Sequence, residues 1–193
     1  MFDLLRSHIL KRITLTEEEC KRYTSYFIPK KIRKHQFLLQ EGELCKYITF
    51  VSRGCLRQYT IDVKGEEHVV QFAIEDWWIS DLFSFLSGEN STYNIDALED
   101  SELLLLERTA HEQLCNDIPK FDRFFRLLLQ NNYVANQKRI TASISQPADE
   151  RYLSLQKTYP NIVQRVPQSQ IASYLGITPQ SLSRIRKKLA GKK

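Results

Sequence analysis

A chain of 193 residues with 42% hydrophobic side chains has enough apolar content for one mid-sized domain and a smaller companion. No stretch approaches the roughly 18 uninterrupted apolar residues of a membrane span, and the charged opening MFDLLRSHILKRITLTEEE does not resemble an export signal. The reading is a cytoplasmic protein with no membrane partner. The formal net charge of +5 divides unevenly: residues 151–193 carry nine Lys or Arg and no Asp or Glu, which leaves the first 150 residues at −4 and the tail at +9. Such a split suggests that the tail meets a polyanion, because every phosphate contact releases counterions whatever the base sequence.

From about Lys30 to Arg108, short β-branched and aromatic runs (YITFV, CLRQYTI, HVVQFAI) alternate with the turn signals QEGE, SRG and DVKGE. Gly42, Gly54, Gly65 and Gly88 fall at the expected turns, and the pattern predicts a small all-β roll or sandwich. The four cysteines, Cys20, Cys45, Cys55 and Cys115, lack the C-x-x-C spacing of zinc and redox sites and read as reduced, mostly buried thiols. His8, His35, His68 and His111 are equally scattered, with no i, i+4 pair, so no metal and no cofactor is assigned.

From Ile118 the pattern turns helical. Phe121, Phe125, Leu128, Leu129, Tyr133, Ile140 and Ile144 recur at helical spacing. A helix of roughly 26 residues runs about 39 Å, longer than a small roll covers, so self-association is the economical way to bury the remainder. The polar SQPADE then reads as a hinge.

The tail VPQSQIASYLGITPQSLSRIRKKL divides into a segment from Gln168 to Leu175, a turn at Gly176 and Ile177, and a second helix. Thr178 is a good N-cap and Pro179 suits the first helical position. Ile171, Leu175, Leu182, Ile185 and Leu189 take the inward side. Gln180, Ser181 and Arg184 fall near the start of the second helix, where donor and acceptor side chains of a recognition helix meet base edges. Arg184, Arg186, Lys187 and Lys188 lie where a helix runs along phosphates.

With these pieces in order, the chain resembles the Crp/Fnr family of bacterial transcription regulators. The resemblance rests on LLQEGELCKYITFVSRGCLRQYTIDVKGEE, DALEDSELLLLER and IASYLGITPQSLSRIRKKL. It implies an α+β fold: a cyclic-nucleotide-binding-like β-roll (a double-stranded jelly roll) over residues 1–117, a dimerisation helix over 118–145 and a winged-helix-like helix-turn-helix over 146–193. It implies a homodimer on a palindromic double-stranded DNA operator, with RNA polymerase as a further partner. Gln180, Ser181 and Arg184 match its base-contacting positions; Thr178 and the later Lys and Arg match its phosphate contacts. The chain ends at AGKK, so the second half of the wing is expected to be missing and the Lys192 and Lys193 end to assist DNA affinity.

The resemblance breaks at the effector pocket. Family members that bind cyclic AMP carry G-E-L and, about nine residues on, R-[ST]-A, whose Glu holds the ribose and whose Arg holds the phosphate. Here Ser80, Asp81 and Leu82 replace the first motif, and Ser91 or Thr92 stands near the arginine's place. From Gly65 to Glu107 there are eleven Asp or Glu and no Lys or Arg. A buried phosphate without its cation forfeits about 3–5 kcal/mol, so the pocket is read as degenerate and the effector as unknown. Trp77 and Trp78 are expected to line or fill this region, at least one as core. Cys20 stands alone near the N-terminus, which disfavours an iron–sulfur cluster. Two readings stay open beside the regulator: a true cyclic-nucleotide sensor using a cation from Lys30 to Arg57 or from a partner's helix, and a β-roll interaction protein that does not bind DNA. A metal-holding β-roll enzyme would need clustered His and carboxylate ligands.

Overall fold

In the computed structural model, which describes residues 1–191, eight strands form two four-stranded antiparallel sheets that face each other. The first has the order β1 (Phe27–Ile32), β8 (Ser101–Glu107), β3 (Tyr47–Arg53), β6 (Trp78–Ile79); the second has β2 (Phe37–Leu39), β7 (Asn94–Ala97), β4 (Leu56–Ile61), β5 (Glu67–Ala73). Strand β8 is a run of four leucines, Leu103–Leu106, all buried. A half-wet strand would alternate polar and apolar residues; this one is covered on both sides and so has no polar face to show. The second sheet covers one side, and helices α1 (Phe2–Leu10) and α4 (Arg108–Asp117) pack on the other.

The second sheet is buried on both faces too, by two different cores. Leu56, Ala73, Ile95 and Ala97 point into the roll with Phe50. Cys55, Tyr59, Val69, Phe72 and Leu98 point outward, with a bulge in the β4–β5 pairing at Gln58 and Tyr59 that resets the alternation between Val69 and Phe72, into a second core shared with the C-terminal helices. Those helices are α6 (Ala148–Thr158), α7 (Pro160–Arg165), α8 (Gln168–Tyr174) and α9 (Pro179–Ala190), which contribute Tyr152, Leu155, Ile162, Ile171, Ala172 and Leu182. Apolar residues on both faces of a strand are the local reason that CLRQYTI and HVVQFAI read as strands without clean alternation.

Of the short helices that were not anticipated, three precede or interrupt the strands. Helix α1 seats Leu5, His8 and Ile9 against the roll. Helix α2 (Glu17–Arg22) closes on a capping box between Thr16 and Glu19. Helix α3 (Leu82–Ser87) is capped by Asp81.

Helix α5 (Lys120–Ser145) has the expected 26-residue length. Its apolar residues divide between two directions. Phe121, Phe124, Phe125 and Leu128 turn toward the roll. At about 100° per residue, Leu129, Tyr133, Ile140 and Ile144 centre about 120° further round, and they are 47%, 65%, 50% and 82% exposed. The single stripe read from the sequence is therefore two, because the first turns pack on the roll while the rest of the helix runs past it.

Candidate nucleic-acid interface and effector pocket

Helix α9 carries four basic residues in twelve, and the local sequence explains how it starts. Gly176 takes a left-handed φ of +65°, which lets the chain reverse after α8. The Thr178 hydroxyl accepts the Ser181 N–H at 3.2 Å, and Pro179 occupies the first turn. Leu182 is buried, with Ile185 and Leu189 packed beside it on the second core. At about 100° per residue, the line opposite those three is Gln180, Arg184 and Lys187, all exposed. Arg186 and Lys188 fall on the two flanks, Lys188 within 3.2 Å of Asp149. Among the expected base readers, Ser181 is half-buried and its hydroxyl lies 2.9 Å from that of Thr178, so it belongs partly to the cap. No residue of α9 is acidic. An exposed cationic helix with a polar outer line can lie in a groove and contact phosphates on either side. Lys192 and Lys193 lie outside the described residues.

The helix-turn-helix is held from behind by groups that sequence reasoning missed. Strand β5 is the outer strand of its sheet, and its Val69 N–H donates to Ser173 Oγ at 2.9 Å while that hydroxyl donates to the Glu67 carbonyl at 2.8 Å. Helix α8 thus satisfies an edge that would otherwise be open. Tyr174 packs on Phe72 with the rings tilted by 45° and centroids 5.2 Å apart, and Trp77 meets Tyr159 edge-on at 4.9 Å. Arg165 donates to both Glu75 and Glu99. Burial alone would raise the Glu75 pKa; hydrogen bonds from Arg165 and from the Gly54 N–H outweigh it and hold that carboxyl below its ordinary value. The sequence signal available was the run of acids without cations facing a tail of cations without acids.

The effector-pocket residues assemble only in part. Asp81 is 3% exposed and its Oδ1 accepts the backbone N–H groups of Phe83 and Ser84. The Ser91 hydroxyl donates to Asp81 Oδ2 at 2.7 Å. The acidic group and the residue at the arginine's place therefore satisfy each other, and no cation joins them. Ser80 instead donates to the Tyr47 carbonyl at 3.1 Å and touches Cys45 Sγ at 3.4 Å. Leu82 packs on the roll core and Thr92 is exposed. A cavity of about 280 Å³ beside Ser80 is lined by Leu39, Cys45, Tyr47, Thr49 and Ile95, with exposed Lys46 as its one cation and Glu43 as its one carboxylate. That volume sits just under the usual range for ligand pockets, about 300–1,000 Å³. Arg57 does not reach it. It lies on the outward face of β4, where Asp96 accepts at 2.8 and 2.9 Å and Glu67 accepts as well. Trp78 belongs to an aromatic cluster with His8, Phe50 and Phe124.

Among the described residues, three potential metal donors converge only at Asp62, Glu66 and His68, on the exposed β4–β5 hairpin and not inside the roll. The His68 ring lies 3.0 Å from Asp62, whose other oxygen accepts the Lys64 and Glu66 N–H groups, so the trio closes the hairpin. Cys45, Cys55 and Cys115 are buried and Cys20 is half-buried, all as free thiols.

Residues 29–117 match the model of the cyclic nucleotide-binding domain. Along nearly the whole chain, the sequence is similar to the regulatory protein HlyX of Actinobacillus pleuropneumoniae, with 25% identity covering 93% of this chain and 79% of that protein. The fumarate and nitrate reduction regulatory protein of Vibrio cholerae is also 25% identical, over 89% of this chain and 73% of that protein. Among solved structures, FixK2 from Bradyrhizobium japonicum superposes with a TM-score of 0.72 at 18% identity, covering 86% of this chain and 85% of that one. The global regulator CLP of Xanthomonas campestris, described as responsive to c-di-GMP, superposes at 0.73 with 14% identity over 92% and 93%.

Proposed function

We propose that this chain is a transcription regulator of the Crp/Fnr type, that it reads a palindromic operator as a homodimer joined along α5 and that it needs no cyclic nucleotide in its roll. The observation that carries the reading is the outer line of α9, Gln180, Arg184 and Lys187, on a capped cationic helix without an acid. Gln180 and Arg184 would meet base edges, Arg184 through a two-bond fork to guanine. Ser181 would add a contact from the edge of the cap. Thr178, Arg186, Lys187 and Lys188 would hold phosphates and fix register. The division of labour is a roll over residues 1–117, a dimer helix over 118–145 and a DNA-reading unit from 146 onward, with RNA polymerase met on the outer surface. The exposed α5 stripe supports the two-fold dimer, which would set two recognition helices about 34 Å apart, one turn of DNA.

The mutual satisfaction of Asp81 and Ser91 supports a pocket that does not take cyclic AMP. Lys46 at the neighbouring cavity favours one competitor, a nucleotide sensor with a displaced cation.

The deciding experiment selects random duplex DNA with the purified, ligand-free protein at moderate salt. Enrichment of an inverted repeat with half-sites about one helical turn apart is the expected result. Enrichment only when cyclic AMP is added would overturn the silent pocket, and no enrichment in either case would favour the interaction protein.

A further inference from the structure

Not all of the tail's cations face outward. Arg165, the last residue of α7, turns back onto the roll. Its Nε and Nη2 donate to Glu99 at 3.1 and 2.7 Å, and its Nη1 and Nη2 donate to Glu75 at 2.6 and 3.1 Å. Glu75 follows β5 and Glu99 lies in the β7–β8 turn, so one planar cation ties two loops of the roll. Glu75 is braced in turn by the Gly54 N–H at 2.7 Å, in the β3–β4 turn. A guanidinium forked onto two carboxylates fixes direction as well as distance.

Eight residues on, Ser173 makes the second attachment, to the edge of β5. The first contact comes just before α8 and the second from within it, near its C-terminal end, and α9 packs on α8 through Leu182. On the other side, an open cleft of about 1,330 Å³ separates the second half of α5 from the roll and α8; Arg139 over the Tyr174 ring, 5.3 Å away, reaches across it. The pose of the helix-turn-helix is therefore taken from the roll.

We propose that Arg165 is the positioning residue for DNA reading: with Ser173 it locks the helix-turn-helix onto the roll in one pose without an effector, and so sets the spacing of the recognition helices in the dimer. This rests on the DNA-binding reading above. A fixed pose does the work that a bound effector would do if the reading unit swung freely on the α5–α6 connection at Gln146 and Pro147.

The test compares full-length wild type with Arg165→Gln on two readouts. One is hydrogen exchange at the Val69 amide, which is held by Ser173. The other is binding to the selected single half-site and to inverted repeats with the spacing altered by one or two base pairs. In Arg165→Gln, Val69 is expected to exchange about tenfold faster while Leu104 in β8 is unchanged. Single half-site affinity is expected to stay within about twofold while the preference for one spacing falls about tenfold. The swapped pair Arg165→Glu with Glu99→Arg should recover part of both. If Leu104 also exchanges faster, the fold is lost, and Glu99→Gln, which spares the fork to Glu75, replaces the variant. Unchanged Val69 exchange, or a retained spacing preference, overturns the proposal. Exchange needs no DNA: if wild type selects no operator, the DNA-binding reading fails by itself and Val69 alone decides whether Arg165 locks the pose.

Discussion

Arg184 and Lys188 sit one helical turn apart on α9 but face different chemistry. Arg184 lies on the outer line, whereas Lys188 sits on a flank beside Asp149. Arg184→Ala is expected to cost about 1–3 kcal/mol on the selected operator and to relax preference at one base pair. Lys188→Ala should weaken all sequences alike and lower the salt slope by about one. Affinities on selected and random duplexes across a salt series check both. Gly54 is constrained differently: its φ is +107° and an added Cβ would stand 2.8 Å from the Ser101 Cα, a backbone atom that cannot step aside. Gly54→Ala should therefore cost about 3 kcal/mol or more, read from the denaturation midpoint. The roll also carries a pH dependence. Burial lowers the pKa of both His8 and His111; at His8 the Arg12 charge adds to this and Asp76 opposes it. The Trp78 indole N–H donates to His8 Nε2 at 3.2 Å, so the neutral ring is the one that fits. Both groups have a folded pKa below the unfolded 6.5. Their contribution is full above that value and is lost as pH falls toward the folded pKa. Denaturant midpoints measured down from pH 7.5 to about 5 should fall, and less steeply in His8→Phe.

At the scale of elements, α5 was the most legible and its environment the least. A long periodic run predicts a helix well, and the run that opens near Ile118 forms the helix Lys120–Ser145. Which residues would be covered depended on where the roll ends. Phe121, Phe124 and Phe125 meet it, while Tyr133, Ile140 and Ile144 lie beyond its reach. Ile140→Glu, on that exposed stripe, should weaken the dimer by about tenfold or more while leaving the monomer's melting temperature nearly unchanged, and sedimentation equilibrium across a dilution series checks it. Helices α6 and α7 left no comparable sequence signal. They are short, and their buried Tyr152, Leu155 and Ile162 acquire meaning only from the sheet they cover.

At the scale of the molecule, the second core joins the roll to the C-terminal helices through apolar burial and the Arg165 fork. The roll keeps the architecture of a nucleotide-binding domain while Asp81 and Ser91 close its expected site on themselves. Saturating cyclic AMP should accordingly shift the melting temperature by less than about 1 °C, since a ligand stabilises only the state it binds. A larger shift that disappears in Lys46→Ala would identify Lys46 as the displaced cation.

Local and compositional features were decided by the sequence alone. The turn glycines, the capped basic helix, the long periodic segment and the missing arginine near Ser91 each depend on neighbours within a few residues or on a residue's chemical identity. What the sequence could not decide was pairing across distance. Whether the acids between Gly65 and Glu107 repel a phosphate or receive a cation depended on which cation folding brings to them. The tertiary structure gave Arg57 to Asp96 and Glu67, and Arg165 to Glu75 and Glu99, across 90 and 66 residues for the latter two. Ion pairs of that separation leave no periodicity in the chain, because their partners meet only when the sheet and the C-terminal helices bury a common core.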